Sequence, residues 1–154
     1  MEKRIMAKTD LDEKIASLVH ETDHVTLAVW AADCAERVLP YFENKYPKDD
    51  RPRKAIKSCR EWARTGVFKM ADVRSASLSA HAAAREVKEF DPARSAARAA
   101  GQAIASAHVK THSIAAAIYA ATAIRDSARP ADAEKAALKE REWQYRLLLK
   151  LRDG

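Results

Sequence analysis

The chain has 154 residues, enough for one folded unit with its own core and short for two. Hydrophobic residues make up 47%, which excludes a disordered chain, and the 3 glycines and 5 prolines are too few to punctuate many short strands. A formal net charge of +6 admits an acidic protein, a nucleic acid or an anionic surface as partner and does not choose among them.

The opening stretch, MEKRIMAKTDLDEK, turns charged at once and lacks the apolar run of a signal peptide. Alanine, the best intrinsic helix former, recurs along the whole chain, so helix is the expected state nearly everywhere. In TDLDEK, Asp10 is placed as an N-cap with Glu13 three residues on, a capping-box pattern that opens a helix over 10–20 through Leu11, Ile15, Leu18 and Val19. Thr22 or Asp23 caps a second helix running to about Tyr46. Its Val25, Leu27, Ala28, Val29, Trp30, Ala31, Ala32, Cys34, Ala35, Val38 and Leu39 leave little polar face, which predicts burial on most sides. Pro40 should kink or end it. Asp33, Glu36 and Arg37 interrupt the apolar run around Trp30, and no window approaches the roughly 18 apolar residues of a membrane span.

YPKDDRPRK is a loop, and Pro52 fits a first helical turn. The helix it opens carries Ala55, Ile56, Cys59, Trp62 and Ala63 on one face, and Gly66 sits where a left-handed cap belongs. Asp72 or a neighbour starts the next helix, through about Glu89, with Val73, Ala76, Ala80, Ala84 and Val87 as its core stripe. FDPAR then supplies Asp91 as cap and Pro92 as first helical residue. From there a stripe of Ala97, Gly101, Ile104, His108, Thr111, Ala115, Ile118 and Thr122 alternates four and three. It predicts one helix of about 35 residues or two collinear ones, with a break near 110–113. Pro130 introduces a last helix over 131–152, docked by Trp143, Leu147, Leu148 and Leu151. The expectation is a single all-α domain over 1–154, of about six or seven helices joined by short loops. Solenoid-like stacking of helix–turn–helix units stays open.

Cys34 and Cys59 lie within helical patterns and lack metal-ligand spacing; they read as buried thiols of a reducing, cytoplasmic compartment. His108 and His112, four apart, should share a helix face, with His81 on a neighbouring helix. With Asp33 and Glu36 they could hold zinc, the basis of a metal-dependent hydrolase reading. The intervening VKT has no glutamate to act as the base of a zincin. The alternative is structural: Asp33, Arg37, His81, His108 and His112 form a hydrogen-bonded polar core between packed helices. Asp33 and Arg37, one turn apart, would fix helix register or orient an imidazole. Gly101, between Ala97 and Ala105, marks a close helix approach. No Gly-rich phosphate loop or Ser-centred elbow occurs, and no cofactor is expected.

On the third helix Arg53, Lys57, Arg60 and Arg64 recur at four, three and four, with Arg51, Lys54 and Lys48 nearby and Glu61 interrupting. This predicts a positive face, suited to an acidic protein or to phosphates. Interleaved aromatic residues for base stacking are absent, and no helix-turn-helix with a polar recognition helix is evident.

HVTLAVWAADCAERVLPYFE, YPKDDRPRKAIKSCREWARTG, SLSAHAAAREV and AARAAGQAIASAHVKTHSIAAAIYAA, in this order, resemble immunity proteins of bacterial polymorphic toxin systems, in the immunity-five-like group. The resemblance covers about 24–124 and leaves the helices over 10–20 and 131–152 as additions. It implies an all-α fold, no catalytic residues, and a cytoplasmic protein that binds and neutralises a partner toxin. Because this chain is basic, such a toxin should be acidic at its contact surface. The contact would then lie on Arg51, Arg53, Lys57, Arg60 and Arg64. A helical nucleic-acid-binding protein using the same face, and a hydrolase built on His81, His108 and His112, are the competing readings. The oligomeric state is not legible.

Overall fold

In the computed structural model, residues 7–154 are described. The signal-peptide reading rests partly on residues 1–6, which lie outside them. The chain forms α1 (Asp12–His20), α2 (His24–Glu43), α3 (Arg51–Thr65), α4 (Met70–Arg85), α5 (Pro92–Ala105), α6 (His112–Ser127) and α7 (Ala133–Asp153). A 3-10 turn at Pro130–Asp132 leads into α7, and the described residues contain no strand. None of their helices is long and apolar enough to cross a membrane.

Several helix ends follow from local chemistry. Asp23 caps α2, its Oδ2 accepting the Thr26 N–H at 3.0 Å. Asp91 caps α5 by accepting the Ala93 N–H at 2.9 Å, with Pro92 in the first turn. Pro52 opens α3, and Gly66 ends it at φ 72°, a conformation glycine adopts without a Cβ penalty. The α1 cap differs from expectation. Asp10 makes no capping bond; the Asp12 carboxylate accepts the Thr9 N–H and the Thr9 hydroxyl accepts the Leu11 N–H, so the reciprocal pair stands one residue upstream. Pro40 does not end α2, which runs one further turn to Glu43 before stopping short of Tyr46. Val25, expected inside, is 43% exposed.

The long four–three stripe does not form a continuous rod. α5 ends at Ala105, 106–111 form a turn, and α6 folds back so that the two helices pack on each other more extensively than any other pair. The register shifts with the break: Ala116, Ala117, Ala120 and Ala121 are buried, while Ala115 and Ile118 of the predicted stripe are only half-buried. In α4 the helix ends at Arg85, so Val87 is buried from the following turn.

α5 is the axis of the fold. It touches α2, α3, α4 and α6, so the compact bundle rather than neighbour-only stacking is realised. Its buried side is Ala93, Ala96, Ala97, Ala99, Ala100, Gly101, Ala103 and Ile104. Such short side chains let surrounding helices approach at the close end of the usual 8–10 Å or so. Bulk comes from outside: Trp30 of α2 is fully buried, and its indole N–H donates to the Gln144 carbonyl of α7 at 2.9 Å. Below it, Arg141 donates to Gln144 Oε1 and Asp12 Oδ1, both at 2.8 Å, and Gln144 Nε2 donates to the Ala117 carbonyl at 2.8 Å. This network ties α1, α6 and α7 together.

Candidate protein-binding surface

The predicted cationic face of α3 is largely neutralised. Arg53 grips Glu43 with two bonds of 2.6 and 2.7 Å. Arg60 reaches Asp33 at 2.8 Å and Glu36 at 2.9 Å. Arg51 is held by Asp49 at 2.7 Å and Glu86 at 2.9 Å, Lys54 by Asp50 at 3.3 Å, and Arg64 by Glu61 at 2.6 Å. Only Lys57 of the predicted contact set has no ion pair among the described residues. Apart from Glu61 of α3 itself, the counter-charges come from α2, from the loop before α3 and from the turn after α4, so the helix read alone shows mostly cations and the assembled molecule shows pairs. The bidentate arginines act as clamps between elements, and little free charge remains on this face to track phosphates.

Asp33 and Arg37 do not pair with each other. Asp33 faces Arg60 on α3, whereas Arg37 donates to the buried Glu140 of α7 at 2.7 Å and lies 4.0 Å over the Trp143 ring. One turn of α2 separates them, and their side chains engage different neighbours. The pair thus joins α2 to two helices instead of bracing one.

The histidines also depart from expectation. His108 is exposed in the turn after α5, and His112 is half-buried in the first turn of α6. They do not share a helix face, because the helix breaks between them. His112 Nδ1 lies 2.8 Å from Gln102 Oε1 and so carries the proton of that bond. The His108 ring stacks on Phe68, centroids 5.9 Å apart and planes 20° from parallel. His81, half-buried on α4, receives a bond from Arg98 Nη1 at 3.0 Å on its Nδ1. Burial first, then the charges of Arg98, Arg85 and His112, lower its pKa to about 4, so it is neutral near pH 7. Among the described residues no group of three or more His, Cys, Asp or Glu is placed to hold a metal ion. The His81, His108 and His112 set does not converge, and Asp33 and Glu36 are engaged by Arg60. Cys34 and Cys59 are buried and unpaired, and burial pushes the Cys59 thiol up to about 12.

What the sequence reading missed is apolar. Past Gly66 the chain exposes Val67 (63%) and Phe68 (40%), and α4 and the α5–α6 turn add Met70, Leu78 (58%) and Val109. Two clefts flank Val73. One, of about 240 Å³, is bounded by Met70, Leu78, Ala105, His108 and His112. The other, of about 560 Å³, runs between α3 and α4 past Lys57, Trp62, Val67, Lys69 and Ile104. Lys57, Lys69 and Arg74 line these clefts without ion pairs among the described residues, while Asp72 and the Arg64-paired Glu61 are the acids on the wall of the larger one. The signal was present as GVFKM: three apolar residues beside a left-handed glycine, with no periodic stripe to absorb them. An exposed aromatic with aliphatic neighbours and a charged rim is the composition of a protein-binding patch.

Residues 17–151 match the family described as "Imm-5 like putative immunity protein". The match takes in the end of α1 and nearly all of α7, wider than the 24–124 stretch that carries the resemblance in sequence, so the α7 helix belongs to the family's span. No curated protein and no solved structure matches the chain.

Proposed function

The chain belongs to the Imm-5-like family of immunity proteins, and from that premise we propose that it binds a protein toxin inside the cell that makes it and neutralises it by occupation, without turnover. The observation that carries the reading is the exposed Val67, Phe68, Met70, Leu78 and Val109 surface with its unpaired lysines and arginine. Burying such a surface against a partner is favourable at roughly 25 cal/mol per Å² of apolar area, before the costs of association. The surrounding cations select an acidic contact face, as the net charge of +6 also suggests. Of the residues singled out on α3, Lys57 belongs to the contact. Arg51, Arg53 and Arg60 support it by fixing α3 on its neighbours, and Arg64 pairs within α3.

The test is co-expression with the toxin encoded beside this chain. The wild-type chain should restore growth. Phe68→Glu with Leu78→Glu should abolish rescue while leaving the melting temperature within a few degrees, because both side chains already face water. Arg53→Ala and Arg64→Ala should keep rescue. Failure of the wild type with every neighbouring toxin, or full rescue by the doubly charged variant, refutes the proposal.

A further inference from the structure

The paired arginines of α3 contrast with those between α4 and α5. Arg85, Arg94 and Arg98 have no carboxylate within ion-pair distance among the described residues. Of the three acids between Arg85 and Arg94, Glu86 holds Arg51, Asp91 takes Lys45 and the Ala93 N–H, and the exposed Glu89 makes no ion pair among the described residues. The cations are nonetheless crowded. Arg98 is depressed by burial and, against an opposing contribution from Tyr119, by the charges of Arg94 and Arg85. Arg94 also stands in the first turn of α5, where the helix dipole disfavours a cation. Three arginines without a carboxylate partner are thus gathered in one place.

Their placement follows a pattern. Arg74, Leu78, His81 and Arg85 recur at four, three and four along α4, so they share one face. Arg94, Arg98, Gly101 and Ala105 recur at the same spacing along α5. The ladders run in opposite directions and meet rung by rung: Leu78 and Ala105 line one cleft, His81 covers Gly101, and Arg98 bonds to His81. The result is a seam between the two helices, closed at its middle by His81 on Gly101, with an apolar cleft at its Leu78–His108 end and the unpaired arginines at its Arg85–Arg94 end. From Leu78 to Arg85 it extends about 10 Å at 1.5 Å per helical residue.

We propose that an acidic segment of the partner protein lies along this seam, with an apolar side chain seated in the cleft against Leu78 and carboxylates paired with Arg85, Arg94 and Arg98. The proposal rests on the toxin-binding reading for the partner's identity, but the site itself does not. Guanidinium groups bind carboxylates in bidentate fashion, and a half-buried one gains more from a partner than an exposed one. His81 accepts a bond from Arg98 and so fixes that guanidinium at the seam.

A hexaglutamate peptide titrated into the full chain, followed on the arginine side-chain N–H resonances, tests the site. Arg85, Arg94 and Arg98 should shift together, and affinity should fall about tenfold between about 50 and 200 mM salt. Arg94→Gln with Arg98→Gln should remove the binding, and Arg94→Gln alone, which leaves the Arg98–His81 bond in place, should weaken it without lowering the melting temperature; Arg53→Gln should leave binding intact. Shifts on α3 instead, no shifts, or equal shifts with a DNA oligonucleotide at lower concentration overturn the proposal. In co-expression the Arg94→Gln, Arg98→Gln variant should rescue poorly, and full rescue by it also overturns the proposal. If the wild type rescues against no toxin while the peptide still binds as expected, the toxin reading falls and the acidic-segment site stands.

Discussion

His81 lies directly over Gly101: a Cβ built at that glycine would stand 2.7 Å from His81 Nε2 and 2.9 Å from two ring carbons. Glycine here is a spatial requirement, since its place inside a helix otherwise costs about 1 kcal/mol relative to alanine. The imidazole is held in place by Arg98, and the Gly101 carbonyl accepts the Ser77 hydroxyl at 3.1 Å, so α4 and α5 cannot part freely. Gly101→Ala should therefore lower stability by about 1–2 kcal/mol despite the propensity gain. In a His81→Ala background the same change should be neutral or stabilising. A double-mutant cycle by urea unfolding measures the coupling; additivity of the two changes would contradict this packing.

Stability should fall with pH in two stages. His81 has a folded pKa of about 4 against an ordinary value of 6.5, so the unfolded chain takes up its proton first. The contribution is complete above about pH 6.5 and is lost progressively as pH falls towards about 4. Glu43 and Asp49 are held below the ordinary carboxylate range by bonds from Arg53 and Arg51 respectively. Their contribution is complete above that range and disappears as pH falls through their depressed values. Thermal melts across this interval should show both stages, and His81→Gln should flatten the upper one alone.

Arg141 is 1% exposed, with an Nε that has no partner, and its charge is met by Asp12. Asp12→Ala should destabilise by about 1–3 kcal/mol, because it strips a buried guanidinium of its counter-charge. Arg141→Met, which removes the charge and keeps the volume, should cost less than Asp12→Ala. Chemical denaturation of both variants decides the order, and the reverse ranking would mean that the ion pair contributes net stability.

The arginines of α3 should separate by what they join. Arg64→Ala removes an exposed pair within one helix and should cost at most about 0.5 kcal/mol. Arg60→Ala detaches α3 from Asp33 and Glu36 of α2 and should cost more, about 0.5–1.5 kcal/mol. Equal values from thermal melts would deny the clamp.

Much of this architecture was legible where a few adjacent residues decide the outcome. Asp23, Pro52 with Gly66, and Asp91 with Pro92 set helix ends by capping chemistry that needs no distant partner. A break near 110–113 was legible from helix length, and α6 does start at His112; the turn at 106–111 contains no glycine or proline, so the reversal of direction was not legible. The chain breaks there because folding back buries the alanine faces of α5 and α6 against each other. Charge was illegible for a related reason: Arg53 and Arg60 meet Glu43, Asp33 and Glu36, which lie 10, 27 and 24 residues away. The exposed apolar patch was missed because Phe68 belongs to no stripe and Leu78 only to one that is otherwise polar, Arg74, His81 and Arg85.

The alanine-built axis has a consequence for how such a protein could diversify. Six of the eight buried residues of α5 are alanine and one is glycine, each enclosed by helices at close range. Any larger side chain there would push its neighbours apart, while a smaller one has almost nothing left to remove. Change is thereby channelled outward, to exposed positions such as Phe68, Leu78 and Arg85, where a new side chain meets solvent instead of a neighbouring helix.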